Sequence, residues 1–200
     1  GGYIYDARII EGLRRRNWKV HVHNLEGEFP AGDTRARESL ARSLNQLPDD
    51  AVVVIDGLAM GALPDLVRAH RGRLCVLALV HLLLADETQL KTDVRDRFRS
   101  LEAQALSASA GVLAASTFTA ARVEALGIDA ALVRAVPPGT DPATPAEGPG
   151  EQVPPRLLCV ASITPRKGQD VLVRALARLA DLSWTCVCAG SVTRSRTFAD

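Results

Sequence analysis

Two adjacent cations follow a strand-like run near the end of the chain. Arg166 and Lys167 lie in the loop 162–168, which joins the apolar run 156–161 to a helical stretch. Cations beside a helix N-terminus oppose the positive end of the helix dipole, whereas an anion held between them would reverse that penalty. The pattern favours a phosphate or diphosphate, bound by charge-assisted hydrogen bonds and by backbone N–H groups beside Gly168. In the alternative interpretation, both side chains simply point into water.

Two earlier loops contain residues suited to contact a substrate. Gly1 and Gly2 precede an amphipathic helical stretch, where backbone N–H groups could approach an anionic or hydroxylated ligand closely. His81 directly follows the apolar run 74–80, and an imidazole there could hydrogen-bond a substrate hydroxyl or assist proton transfer near neutral pH. The glycines could instead form a tight turn, and His81 could equally be a core histidine whose hydrogen bonds are satisfied.

Apolar runs of strand length alternate with helical stretches along the chain, and this alternation predicts α/β architecture with parallel sheets and crossover helices. Ligands of such sheets bind at the carboxyl ends of the strands, where the loops described above lie. The predicted strands are 19–25, 51–55, 74–80, 111–114, 131–136, 156–161 and 183–189, and the predicted helices are 3–16, 36–44, 64–69, 88–107, 117–125 and 169–180.

A proline-rich segment divides the chain. Seven of the eleven prolines, at 137, 138, 142, 145, 149, 154 and 155, lie in this segment with several glycines, a composition typical of a linker. We predict a first α/β domain over 1–143, a linker over 144–155 and the beginning of a second α/β domain over 156–200. We expect the first strand of the first domain to precede Gly1, and the second domain to continue beyond Asp200. Gly139, in the turn that leads into the linker, could line a ligand cleft, although a bare turn needs no ligand.

The composition excludes several classes of protein. The 24 basic and 23 acidic side chains give a net charge of +1, and only 4% of residues are aromatic. This leaves no strong basic face for a nucleic acid and few rings for base stacking. The longest apolar run, 74–85, is well short of the ~20 residues that span a bilayer. The four cysteines form no C-x-x-C pair, which indicates reduced, buried thiols in a cytoplasmic protein. Peripheral contact with a membrane stays open.

Five segments match the sequence motifs of one enzyme family: 1–5, 13–20, 102–119, 137–141 and 160–168. Together they resemble the retaining, nucleotide-sugar-dependent glycosyltransferases of family 4. These enzymes have the GT-B fold, two Rossmann-like, doubly wound domains with parallel sheets. The segment 102–119 is similar to the one that ends their first domain. Asn17 and Trp18 stand where the family usually has Gly and His. The remaining matches are 1–5 (Gly-Gly-Tyr-x-Tyr) with the glycine loop, 13–20 with "L-x-x-x-G-H-x-V", 137–141 with "P-N-G-V-D" and 160–168 with "V-G-R-x-x-x-x-K-G".

The resemblance implies a role for several of these residues. The first lobe would receive the acceptor and the second would bind a nucleoside diphosphate sugar, with Lys167 on the donor diphosphate. Ser162 stands at the position of a family arginine, so we expect Arg166 to supply that charge. His81 would lie near the reacting sugar as the catalytic residue. Gly2 would lie beside the diphosphate, and Gly1, Ser162 and Gly139 would line the cleft.

The chemistry of sugar transfer suits these residue types without a metal or cofactor. Negative charge develops on the departing diphosphate, and cations or N–H dipoles already in place stabilise it. The sequence has no D-x-D motif and no obvious metal-ligand spacing, which suits a metal-independent transferase. The family's two donor-binding glutamates lie further along its second domain, so we expect no turnover from these 200 residues alone.

Two other functions remain open at this point. A nucleotide-sugar 2-epimerase shares the two-lobed fold and the diphosphate site, and an assay of the full-length protein with and without acceptor separates it from a transferase. A non-catalytic α/β ligand-binding module is the other alternative. In such a module, replacing Lys167 with alanine would leave nucleotide affinity unchanged.

Overall fold

The computed structural model describes residues 2–145, 148, 150, 154–193 and 195–199. The chain forms two compact units, Gly1–Thr140 and Asp141–Asp200. Their division falls close to the end of the predicted first domain at 143. Within the predicted linker 144–155, residues 146, 147, 149 and 151–153 lie outside the described part of the chain.

The first unit is a parallel α/β sheet with helices between its strands. Its strand order is β1-β2-β3-β4, and every neighbouring pair is parallel. The sequence prediction of an α/β fold with a parallel sheet is therefore confirmed. The strands are β1 (Val52–Asp56), β2 (Cys75–Val80), β3 (Gly111–Ala114) and β4 (Val133–Ala135), and the helices are α1 (Gly2–Arg15), α2 (Thr34–Asn45), α3 (Gly57–Met60), α4 (Pro64–His70), α5 (Thr92–Ser107) and α6 (Thr117–Glu124).

Side-chain caps fix where several helices begin. Asp33 precedes α2 and its carboxylate accepts a hydrogen bond from the backbone N–H of Ala36, while Ser116 caps α6 through Thr119 N–H. Pro64 opens α4, a position where its missing N–H costs nothing. Such caps satisfy N–H groups that have no partner inside the helix, so the loops that follow the strands end at defined residues.

The core of the first unit lies between the sheet and the helices that cross it. Leu44, Met60, Leu63, Val76 and Val112 are among its most completely buried side chains. In contrast, α1 has no buried residue. On β1, Val52 and Val54 remain 63% and 50% exposed, and the outer edge of this strand has no strand partner within the described residues. Packing therefore holds the sheet centre firmly and α1 only lightly.

The predicted strand 19–25 is wrong. Residues 18–26 form no strand, because alternating apolar and polar residues make a strand only when a neighbouring strand supplies ladder hydrogen bonds. This segment instead makes single attachments, such as Glu26 N–H to Ser39 Oγ at 2.9 Å. Elsewhere, the long helix begins at Thr92 instead of Thr88, and a 3₁₀ turn takes the first residues of the predicted strand 131–136. The short helix α3 follows β1 and was not predicted.

The second unit contains a two-stranded parallel sheet. β5 (Arg156–Val160) pairs with β6 (Thr185–Ala189), and α7 (Gln169–Ala177) lies between them in sequence. A short helix, α8 (Arg196–Ala199), follows. Among the described residues of this unit, only Gln169 and Leu176 are buried. Apolar side chains on both strands are consequently left open to solvent.

The composition predicted buried thiols and no segment long enough to span a bilayer. All four cysteines are unpaired. Their predicted burial is wrong, because Cys188 is exposed and the others are only half-buried, on strands whose faces are incompletely covered. Across the part of the chain that the structure describes, no helix is both long and apolar enough to span a bilayer.

Candidate functional site

His81 lies at the edge of the sheet where two parallel strands end. It follows the last residue of β2, and Asp56 is the last residue of the neighbouring strand β1, in register with Leu79. Parallel strands bring their carboxyl ends to one edge, so the register places Asp56 and His81 side by side. Both residues are half-buried.

The N-terminal turn of α1 packs against His81. A Cβ atom built on Gly2 would lie 3.5 Å from Cδ2 of the imidazole. The ring of Tyr5 meets the same imidazole edge-on, with ring centroids 5.2 Å apart. Asp6 completes the contact, with its Oδ1 2.9 Å from Nε2 of His81. The opening glycine and the histidine, which the sequence had assigned to one site, are therefore neighbours in the first unit.

Tyr5 also ties α1 to the far side of the sheet edge. Its hydroxyl donates a 2.8 Å hydrogen bond to the backbone carbonyl of Val136, which directly follows β4. Burial raises the pKa of the Tyr5 hydroxyl, and the neighbouring charge of Asp6 raises it further. The hydroxyl therefore remains a neutral donor at physiological pH.

One carboxylate oxygen of Asp56 caps a helix, and the other is able to accept a further hydrogen bond. Its Oδ1 accepts a 2.7 Å hydrogen bond from the backbone N–H of Leu58 and so caps α3. Burial raises the pKa of the Asp56 carboxyl, while the Leu58 hydrogen bond and the proximity of His81 act in the opposite direction. Within the described residues, its second oxygen, Oδ2, has no hydrogen-bond partner.

Asp6, Asp56 and His81 form a three-residue polar cluster. One potential ligand atom from each lies within 4.8 Å of the other two, a donor set that could hold a metal ion. The sequence analysis identified only His81 of these three. Asp56 had a signal, since it ends an apolar run just before a glycine, but the role of Asp6, on a helix face, becomes visible only when α1 is docked.

A buried carboxylate holds the chain just beyond His81. Glu102 on α5 is 4% exposed, and its two oxygens accept hydrogen bonds from the backbone N–H groups of Leu84 and Ala85, at 2.5 and 3.0 Å. Burial raises the pKa of Glu102, and the two N–H bonds offset part of this rise. Glu102 thereby fixes the turn that follows His81.

The predicted diphosphate loop lies between β5 and α7 in the second unit. Arg166 and Lys167 are exposed in a 3₁₀ turn over Pro165–Lys167, and Gly168 follows in the left-handed conformation, with φ 68°. The left-handed conformation is unfavourable for residues other than glycine, which explains why position 168 is a glycine. Lys167 has no ion-pair partner in the described part of this unit.

Gln169 pins this loop to the first turn of α7. Its Nε2 donates a 3.0 Å hydrogen bond to the carbonyl of Ser162, so Ser162 contributes a backbone atom to the loop. The Gln169 side chain is buried, and its Oε1 has no hydrogen-bond partner within the described residues. The loop 162–168 is thus held at both ends.

Of the other residues predicted to line a cleft, only Gly139 lies in the described part of the chain. Gly139 is exposed, and a Cβ atom built on it would meet no atom within 4 Å. Gly1 lies outside the described residues. The role of both remains a prediction.

Comparison with known proteins adds no family to this description: no protein-family model matches the chain, and no curated protein does.

Proposed function

We propose that the chain is part of a retaining, metal-independent glycosyltransferase of the GT-B type, which transfers a sugar from a nucleoside diphosphate sugar to an acceptor hydroxyl. The proposal assigns the acceptor to the first unit and the donor diphosphate to the second. The observation that carries it is the contact of Gly2 with His81. The sequence motifs had assigned these two residues to one site, and they are adjacent in space.

The second unit supports the proposal through its loop 162–168. This loop combines two exposed cations with a left-handed glycine and leads directly into α7. A diphosphate placed there would meet Lys167 and Arg166 as well as N–H groups of the first turn of α7. The unpaired state of Lys167 in the described residues means that its charge is available to an anion.

The proposed reaction breaks the bond between sugar C1 and the diphosphate oxygen, and the electron pair leaves with the diphosphate. The acceptor hydroxyl oxygen forms the new bond to C1, and its proton passes to the departing diphosphate oxygen. Lys167 and Arg166 stabilise the charge on the leaving group, so the step needs no metal. His81 would lie beside the reacting sugar, with its orientation fixed by Asp6 and Tyr5.

The proposal includes a cytoplasmic location and a small-molecule donor. Four unpaired cysteines agree with a reducing compartment such as the cytoplasm. The net charge of +1 agrees with a small-molecule donor and argues against a nucleic-acid partner.

Calorimetric titration of the chain with UDP, GDP, ADP and their sugar conjugates tests the assignment of the donor. We expect at least one nucleoside diphosphate to bind, and Lys167→Ala to weaken it by about tenfold or more, since hydrogen bonds to charged groups contribute about 1.5–3 kcal/mol. Lys19→Ala is the matched control, because Lys19 is exposed in the segment 18–26 of the other unit.

Three outcomes would contradict the proposal. Absence of binding across the nucleotide panel would remove the donor site, and unchanged affinity in Lys167→Ala would favour a binding module of another kind. With the full-length protein and the nucleotide sugar that binds, mass spectrometry shows whether product forms only when a hydroxylated acceptor is present. A 2-epimer formed without acceptor would identify an epimerase instead.

A further inference from the structure

The polar cluster of Asp6, Asp56 and His81 contains two atoms that could accept hydrogen bonds from a ligand. Oδ2 of Asp56 has no hydrogen-bond partner within the described residues, and neither has Nδ1 of His81. Both side chains are half-buried at the carboxyl ends of β1 and β2, where ligands of parallel sheets bind. Their contacts in the protein define what chemistry they offer a ligand.

Asp6 determines which nitrogen of His81 carries the hydrogen. An ionised carboxylate only accepts hydrogen bonds, so the 2.9 Å contact between Asp6 Oδ1 and Nε2 requires the hydrogen on Nε2. In the neutral imidazole, Nδ1 then bears the lone pair. Tyr5 holds the ring edge-on at 5.2 Å between centroids, which limits rotation of the imidazole. Nδ1 is therefore presented as an acceptor.

Asp56 offers a second acceptor of the same kind. Its Oδ1 is committed to Leu58 N–H at 2.7 Å, and this hydrogen bond leaves Oδ2 as the oxygen able to receive another donor. One potential ligand atom of Asp56 lies within 4.8 Å of one from His81, so the two side chains are neighbours. A ligand that satisfies both residues must bring two hydrogen-bond donors.

We propose that this cluster binds a neutral polyhydroxylated acceptor through two of its hydroxyl groups, one donating to His81 Nδ1 and the other to Asp56 Oδ2. Asp6 is a positioning residue that maintains the required tautomer of His81. A phosphate at the position of these two hydroxyl groups would be repelled by the two carboxylates and, when fully ionised, would supply no donor to either atom. The proposal rests on the proposed function, and it narrows the acceptor to uncharged sugars or cyclic polyols.

Nitrogen-15 NMR of the histidine rings tests the role of Asp6 directly. The chain has four histidines, and His81→Gln identifies the signals of His81. In its neutral form, we expect the His81 ring to carry its hydrogen on Nε2. Asp6→Ala removes the acceptor for Nε2–H and should lower the share of this tautomer. A wild-type ring protonated on Nδ1, or a tautomer share unchanged in Asp6→Ala, would overturn the role of Asp6.

Titrations followed by the same signals test the ligand. The probes are glucose, mannose, galactose and myo-inositol, each paired with its monophosphate, together with glucosamine and Mg²⁺ or Mn²⁺. We expect at least one neutral compound to shift the His81 signal saturably and more strongly than its phosphate. Asp56→Asn keeps an oxygen for Leu58 N–H but replaces the second acceptor with a donor, so affinity should fall by about tenfold or more.

Asp129→Asn is the matched control for Asp56→Asn. Its carboxylate likewise accepts a hydrogen bond from the backbone N–H two residues ahead, Ala131 at 2.9 Å, on an exposed surface. This variant should bind the polyol as the wild type does, which shows that loss in Asp56→Asn does not arise from a weakened cap. Equal losses in both variants would contradict a direct contact.

The remaining outcomes each decide the proposal. Tighter binding of a phosphorylated probe would refute an acceptor-only site, and a response to the metal ions or glucosamine alone would identify a cation site instead. Absence of any response at His81 would also refute it. Nucleotide binding at Lys167 is measured in a separate titration. If the chain binds the polyol but no nucleoside diphosphate, this site stands and the proposed transferase function is wrong.

Discussion

The hydroxyl of Tyr5 donates a 2.8 Å hydrogen bond to the carbonyl oxygen of Val136, 131 positions further along the chain. This contact joins the N-terminal helix to the residue that follows the last strand of the first unit. Since α1 buries none of its residues, it depends on polar attachments such as this one and the pairing of Asp6 with His81. The geometry of the candidate site therefore depends on how firmly Tyr5 holds α1.

Tyr5→Phe should loosen α1 while leaving the sheet intact. The substitution removes one partly buried hydrogen bond, which contributes about 1 kcal/mol, and keeps the ring that contacts His81. Amide hydrogen exchange should become several-fold faster in α1 and remain unchanged in β2 and β3. Tyr3→Phe is the control, because Tyr3 is 88% exposed. Equal exchange in the two variants would show that the hydroxyl of Tyr5 does not anchor the helix.

The sequence predicted best those elements in which local signals and packing agree. The helix around 117–125 has a serine cap and a terminating glycine, and the strand 111–114 is a short buried apolar run between turns. In both, the side chains that define the pattern are also the ones that pack. The segment 19–25 shows the limit, because its alternation was typical of a strand, yet a strand also needs a partner with which to pair.

Much of the candidate site could not be predicted for a related reason. The position of His81 after an apolar run was visible locally, whereas the proximity of Asp6 depends on where α1 docks. Asp56 approaches His81 because of the β1 and β2 register, which no single segment encodes. Gly57 illustrates this, since a Cβ there would lie 3.3 Å from the carbonyl oxygen of Leu79, and only the folded sheet reveals that constraint.

Glu102→Ala should destabilise the first unit strongly. The variant leaves the N–H groups of Leu84 and Ala85 without their buried acceptor, at about 1–3 kcal/mol for each unsatisfied group, and it also opens a cavity beside α5. Urea denaturation should show a lower midpoint by a margin well outside error. Glu124→Ala, at an exposed position of α6, should change the midpoint little. A similar midpoint in both variants would mean that the turn after His81 does not depend on Glu102.

Gly190→Ala should disrupt the second unit at the end of its sheet. A Cβ atom on Gly190 would lie 1.9 Å from the carbonyl oxygen of Ala161, so the backbone beside the loop 162–168 must move apart. We expect a loss of about 2 kcal/mol or more, measured as faster hydrogen exchange at Ala161 and Thr185. Gly72→Ala is the control, because a Cβ there meets no atom within 4 Å. Unchanged exchange in Gly190→Ala would show that this close approach is not required.

The ion pair of Arg122 with Asp86 should make the stability of the first unit depend on pH in the acid range. The Arg122 guanidinium holds the pKa of the Asp86 carboxyl below its ordinary value through hydrogen bonds of 2.9 and 2.5 Å. Because the folded pKa is the lower one, the stabilisation is present above the unfolded value of about 3.9 and is lost as the pH falls through the folded pKa. Arg122→Gln should therefore show a lower Tm at pH 7 and a shallower fall of Tm between about pH 5 and pH 3 than the wild type, by calorimetry at low salt. The effect should be modest because Arg122 is exposed to solvent and to screening ions.

Arg16→Gln is the control, because Arg16 is an exposed arginine in the same unit, and this variant should retain the wild-type slope. Parallel Tm curves for the wild type and Arg122→Gln would contradict the linkage.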